Sequence, residues 1–201
     1  MMRKASYRDK TRVADILTRA FDANESVNYV IPRDSRRKQR IRALMNYSFD
    51  VCFAFGDVFL SHDGNACALV MYPDKKKTTL RSVFLDARLV CSGTGIRNIK
   101  KVLRRESLIK KTQPREPMYY LWFIGVEPGR QHRGAGSRLL RELIDHSEEM
   151  RRAMFLETST RRNLPWYEQF GLKVYAELDL GYTLYFLRRQ KASAATNTGR
   201  G

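Results

Sequence analysis

Apolar side chains along the chain switch repeatedly between a helical period of about 3.6 and a period of two, and the switches mark its elements. Met2–Ala5 reads as a short first strand. Val13, Ile16, Leu17, Ala20 and Phe21 keep helical spacing, with Ser6 or Asp9 placed as a cap. Asp22–Arg33 has no periodic stripe and reads as a loop. From Ser35 a second helix follows, with the stripe Ile41, Leu44, Met45, Phe49, Cys52 and Phe53. Its other face, Arg36, Arg37, Lys38, Arg40 and Arg42, reads as solvated, and Gly56 ends it. Asp57–His62 and Ala66–Tyr72 are rich in strand formers and flank Asp63-Gly64-Asn65, a hairpin signal. Over Thr79–Cys91 helical spacing returns at Leu80, Val83, Phe84, Ala87 and Val90. Ser92–Gly95 breaks it, and a basic helix with Ile99, Val102, Leu103 and Ile109 stops before Pro114.

Met118–Ile124 is a continuous apolar run, the pattern of a strand buried on both faces. A glycine-containing turn follows, and then Leu139, Leu140, Leu143 and Ile144 share one helical face. Ala153–Thr158 is a further strand, and Pro165–Phe170 a short helix entered through Asn163. Leu172–Leu180 alternates apolar and polar positions as a half-buried strand, and Gly181 turns it into Tyr182–Leu187. Arg188–Gly201, rich in Ser, Ala, Thr and Gly, reads as a disordered tail. The order predicts one α/β (α+β) domain over residues 1–187, without internal repeats.

Composition narrows the class. The hydrophobic share of 43% suits a globular chain of 201 residues with its own core. Cys52, Cys67 and Cys91 lie in apolar surroundings without C-x-x-C spacing, and read as buried thiols of a reducing, cytoplasmic compartment. No secretory signal or membrane span is visible. A net charge of +17 admits a nucleic acid, a membrane surface or an anionic ligand as partner. The basic residues are spread over nearly every segment, with no helix-turn-helix, zinc-finger or RNP pattern. They therefore read as solvated faces that also steer a polyanionic ligand.

The turn after the apolar strand carries the chemistry. A strand feeding Gln131–Gly136 at a helix start presents unpaired N–H groups with the positive end of the helix dipole behind them. Such a cradle favours a phosphate. A Walker loop is absent, and a dinucleotide fingerprint would need a glycine where Leu139 stands. Val126, Pro128, Gln131, Gly134 and Gly136 instead resemble the V-x-P and Q/R-x-x-G-x-G/A signature of the GNAT family of N-acetyltransferases. Downstream, Leu156-Glu157-Thr158 and Trp166-Tyr167-Glu168-Gln169-Phe170-Gly171-Leu172 resemble that family's second half.

The resemblance implies a mixed, mostly antiparallel sheet of about six or seven strands flanked by helices, with an extra helical pair between strands 3 and 4. It implies acetyl-CoA as cosubstrate and no metal. The pyrophosphate would lie on the N–H groups of Gln131, His132, Arg133, Gly134, Ala135, Gly136 and Ser137, with Arg130 and Arg133 as side-chain contacts. The pantetheine arm would pair with Ile124, Gly125 and Val126, where the family's strand splays or bulges, and Val126 N–H could polarise the thioester carbonyl. Tyr167 would serve the departing thiolate, and Glu157, ahead of Glu127, would take the proton of the amine. Many members have an Asn where this chain has Thr160, so either Thr160 or Asn163 is left to contact the pantetheine. Each side chain also has a plain structural reading: Tyr167 as a core aromatic, Glu157 as a strand-end ion pair, His132 as a turn residue. The expected partner is a small-molecule or peptide amine, with no specific nucleic acid and no membrane; a homodimer is left open. The rival readings are a non-catalytic CoA-binding relative and a basic nucleic-acid-binding protein.

Overall fold

The computed structural model describes residues 1–76, 89, 93 and 98–190. Within them the strand-forming segments pair into one seven-stranded sheet, in the order β1-β2-β3-β4-β5-β7-β6. The strands are β1 (Arg3–Lys4), β2 (Gly56–Leu60), β3 (Ala66–Met71), β4 (Met118–Val126), β5 (Ala153–Thr158), β6 (Lys173–Asp179) and β7 (Thr183–Arg189). The helices are α1 (Lys10–Ala20), α2 (Glu25–Val30), α3 (Arg37–Phe55), α4 (Ile99–Thr112), α5 (Ala135–Glu149) and α6 (Leu164–Glu168). Every neighbouring pair is antiparallel except β4 and β5, which α5 joins as a parallel crossover. This is the mixed, mostly antiparallel α/β sheet that the sequence predicts.

Because side chains alternate across a strand, each face of the sheet collects its own core. On one face α1, α2 and α3 bury Leu17, Val27, Met45 and Phe49 against Leu60, Leu69 and Phe123. On the other, α5 packs Leu139, Leu140 and Leu143 against Tyr119, Leu121, Met154 and Leu156. α6 adds Tyr167 to that layer. Cys52 and Cys67 are buried free thiols, and burial pushes both well above the ordinary thiol range.

Several expectations change. The segment Asp22–Arg33 holds a helix, α2, capped by Asn24, whose side chain accepts from Val27 N–H at 3.1 Å. Only Val27 and Val30 of its six residues are buried, too few to show a stripe. The basic face of α3 is not simply solvated: Arg40 pairs with Asp34 at 2.9 Å and donates to the Gly93 carbonyl, and Arg42 pairs with Asp15 at 2.7 Å. Phe53 is 41% exposed, stacked on Phe49 beside Tyr7, and Leu103 is 63% exposed. Strand β7 continues past Leu187, because Arg188 and Arg189 pair in register with Phe155 and Met154. The helix predicted over Thr79–Cys91, one half of the extra helical pair, the break at Ser92–Gly95, Cys91 and the tail beyond Gln190 fall almost wholly outside the described residues. No helix among the described residues is long and apolar enough to cross a membrane.

Candidate active site at the splayed ends of β4 and β5

β4 and β5 pair only at Met118–Ala153, Tyr119–Met154 and Tyr120–Phe155. Beyond that point β4 follows β3 to Val126 and β5 follows β7 to Thr158, so their carboxyl ends part. At the fork Leu69 faces Phe123 and Val70 faces Leu121, which leaves Trp122 as a bulge on β4. The bulge therefore lies upstream of Ile124–Val126, and it is the splay that frees the β5-facing edge of those residues. A gap at the carboxyl ends of parallel strands is the usual place for a ligand in such sheets.

Past Val126 the chain makes a single helical turn at Pro128–Arg130 and then enters α5 through Gly134. Gly134 sits at φ 77°, a left-handed conformation in which a Cβ is strained. His132 also has positive φ, at 61°, and its ring is exposed. No capping side chain occupies the start of α5, whose first helical hydrogen bond is Arg138 N–H to the Gly134 carbonyl. The N–H groups of His132 through Ser137 consequently have no partner among the described residues, and they open at the positive end of a 15-residue helix. Gly136 lets the helix approach β4: a Cβ there would lie 3.2 Å from Val126 Cγ2. Gln131 donates to the Val126 carbonyl at 3.4 Å. Arg130 and Arg133 are exposed and, among the described residues, unpaired. Gly125 has a packing duty besides, since Leu17 Cδ2 lies 2.8 Å from where its Cβ would be.

Tyr167 is 6% exposed, its ring packed in the α5-side core and tilted 4.7 Å from Trp166. Among the described residues its hydroxyl has no hydrogen-bond partner, yet it is not among the occluded, unpartnered polar atoms, so it reaches accessible space. Burial pushes its pKa well up. Trp166 fixes the position of α6 by donating its indole N–H to Ser137 Oγ at 2.9 Å, which ties Tyr167 to the uncapped turn at the start of α5.

Glu157 follows Leu156 on β5 and therefore points to the opposite face, where Tyr120 and Phe155 lie. Tyr120 donates to Glu157 Oε2, and Gln113, just past α4, donates to Oε1 at 2.7 Å. Burial raises the carboxyl pKa above its ordinary 4.5, against those two hydrogen bonds and the nearby Arg105 guanidinium, which favour the anion. Tyr167 and Glu157 thus flank the splay from opposite faces of the sheet. Glu127 is occupied elsewhere, in a two-pronged pair with Arg19 of α1 at 2.8 and 2.5 Å. Asn163 and Thr160 are both half-buried at the start of α6, and Thr160 N–H donates to Thr158 Oγ1 at 3.1 Å.

Two contributors escape the sequence pattern. Arg138, one turn into α5, holds its guanidinium over the cradle, with Nη1 3.4 Å from the place of a Gly134 Cβ. Its i+4 relation to Gly134 was the available signal. Arg105, which reaches α2 from α4, had none. Among the described residues no cluster of three or more His, Cys, Asp or Glu side chains could hold a metal ion.

Residues 97–172 match the model of the acetyltransferase (GNAT) family. The fold is shared with a solved protein of Corynebacterium glutamicum described as histone acetyltransferase HPA2 and related acetyltransferase. It is 19% identical, with TM-score 0.71, over 97% of this chain and 98% of that one. It is shared also with arylalkylamine N-acetyltransferase 2 of Aedes aegypti, 13% identical, with TM-score 0.62, over 96% and 99% of the two chains. A third similar structure is the C-terminal condensation domain of Ebony in complex with beta-alanyl-dopamine. It is 9% identical, with TM-score 0.68, over 94% and 97%. The family match spans α4, the splayed strand, the uncapped turn and the Tyr167 helix, so this part of the chain is similar to the GNAT acetyltransferase family.

Proposed function

We propose that the protein transfers an acetyl group from acetyl-CoA directly to a primary amine while both are bound. The observation that carries this reading is the row of unpartnered N–H groups from His132 to Ser137, set where β4 parts from β5. The pyrophosphate would rest on those amides with Arg130, Arg133 and Arg138 around it, at a site where backbone donors and the helix dipole act together. The pantetheine amides would add to the free edge of Ile124–Val126 in the manner of an extra strand. The thioester would then reach the fork between Tyr167 and Glu157, with Val126 N–H as donor to the developing oxyanion.

An alkylammonium of pKa near 10.4 must lose its proton first, at a cost of about 4.6 kcal/mol at pH 7. Glu157 receives that proton, directly or through a water. Its oxygens already accept from Tyr120 and Gln113, but each keeps a second lone pair. The amine nitrogen then bonds to the carbonyl carbon, and the C–S bond breaks as the tetrahedral centre collapses. The sulfur leaves toward the Tyr167 hydroxyl. Because burial makes that hydroxyl a weaker acid, it stabilises the sulfur by a hydrogen bond, or by proton transfer concerted with collapse. The test is a thermal-shift titration with acetyl-CoA followed by an amine panel scored for CoA release. Stabilisation by acetyl-CoA and amine-dependent release are expected; the absence of both would contradict the proposal.

A further inference from the structure

Polar side chains gather at the carboxyl end of β5 beyond what a bare amine needs. Ser26 of α2 donates its backbone N–H to Ser159 Oγ at 3.3 Å, one residue past β5, which sets α2 at the opening of the splay. Arg105 reaches the same place from α4. Its Nη2 donates to Ser26 Oγ at 2.6 Å and its Nε to the Tyr182 hydroxyl at 3.2 Å. Lys101, one turn earlier on α4, lies 3.9 Å over the ring of Tyr29, which packs edge-on against Tyr182 at 5.4 Å. Two cations on one helix face are thus directed at one wall.

The Arg105 side chain is 15% exposed, and its carboxylate partner, Glu106 at 3.0 Å, is 50% exposed and adjacent in sequence. A rim pair of that kind contributes little. The other groups on the guanidinium, the hydroxyls of Ser26 and Tyr182, are neutral. A guanidinium withdrawn from water is ordinarily matched by an anion with fork-shaped geometry. Arg105 also lies close enough to Glu157 to favour its ionised form against burial. The carboxylate that would take the amine's proton and a guanidinium whose one direct carboxylate partner among the described residues is the rim Glu106 therefore stand on one side of the splay.

We infer that the acceptor is a small amine bearing its own carboxylate. Its nitrogen would be directed toward Glu157 and the fork, and its carboxylate toward Arg105, Ser26 and Lys101. The inference rests on the acetyl-transfer reading above and makes Arg105 its specificity-determining residue. The test uses matched pairs that differ by one carboxylate, phenethylamine with phenylalanine and putrescine with ornithine. Their binding is measured by calorimetry with coenzyme A present, on wild type, Arg105→Gln and Arg105→Lys. Wild type should bind one carboxylated member at least about tenfold tighter than its carboxylate-free counterpart, a typical gain from one charged hydrogen-bonded contact. Arg105→Gln should abolish that preference, and Arg105→Lys should keep part of it. Equal affinity in wild type, preference for the member without a carboxylate, or binding of neither overturns the inference, and those outcomes need no variant to fold. CoA release is followed separately: selective binding without turnover would count against the transferase reading alone. Turnover confined to amines without a carboxylate would overturn this inference and leave that reading standing.

Discussion

In Tyr167 the ring and the hydroxyl have separable duties. The ring fills core space beside Trp166, whereas the hydroxyl has no partner among the described residues. Tyr167→Phe should therefore leave the melting temperature and acetyl-CoA affinity nearly unchanged while kcat falls about 10²-fold, the range for losing one transition-state donor. Steady-state kinetics beside a melting curve would check it, and a fully active variant would return Tyr167 to a packing role. Glu157 makes a pH prediction. Its carboxyl must be ionised to accept a proton, and burial raises its pKa above 4.5. The acid limb of kcat/KM should accordingly titrate above 4.5 for an acceptor of low amine pKa, and Glu157→Gln should remove that limb together with most of the rate. The same shift has a stability consequence. A carboxyl whose folded pKa is raised favours the fold below the unfolded pKa, and that contribution is lost as pH rises through the folded value. Replacement by Gln should flatten the dependence of stability on pH above 4.5. Both residues were legible as types in a spaced motif. Their surroundings were not, because Tyr120 and Gln113 meet Glu157 from 37 and 44 residues away, through a sheet register and a helix end that no local pattern encodes.

Among the elements, α1 and β4 meet more closely than any side chain at residue 125 would allow. A Cβ on Gly125 would come within 2.8 Å of Leu17 Cδ2. Gly125→Ala should overpack this contact and cost about 1–3 kcal/mol. For a chain of this size that lowers the melting temperature by roughly 2–4 °C per kcal/mol, measurable by calorimetry. An unchanged melting temperature would show that α1 shifts freely, and with it the Arg19–Glu127 pair that holds the end of β4. Long periodic stretches such as α3, α5 and β4 were readable because each buries a continuous stripe. α2 was not, because six residues with two buried valines carry no period and its start rests on one Asn24 cap. Leu103 fits the α4 stripe in sequence yet stands exposed, since Ile109 is the one fully buried residue of that helix among those described. The splay was implied by the family resemblance, but the position of the bulge at Trp122 depends on pairing with β3, which only the assembled sheet fixes.

Over the whole molecule the net charge of +17 is dispersed, and many of the basic side chains sit in ion pairs such as Lys10–Asp50, Arg152–Asp74 and Arg188–Glu116. Any nucleic-acid binding should then be non-specific and fall away between about 50 and 200 mM salt, as counterion release requires. Fluorescence anisotropy with unrelated duplexes would check this, and a sequence-selective complex that survives 200 mM would revive a nucleic-acid role. Arg130, Arg133 and Arg138, unpaired among the described residues, surround the uncapped start of α5, and there the account stands or falls. Gly136→Asp would put a carboxylate into the cradle at a helix N-terminus, where a negative charge favours the helix itself. Its Cβ would press on Val126 Cγ2 at 3.2 Å, close enough to require only a small adjustment. Calorimetric titration of acetyl-CoA into wild type and into folded Gly136→Asp is the most direct measurement. Binding to the first and none to the second is predicted, and equal affinity for both would contradict the placement of acetyl-CoA on this turn.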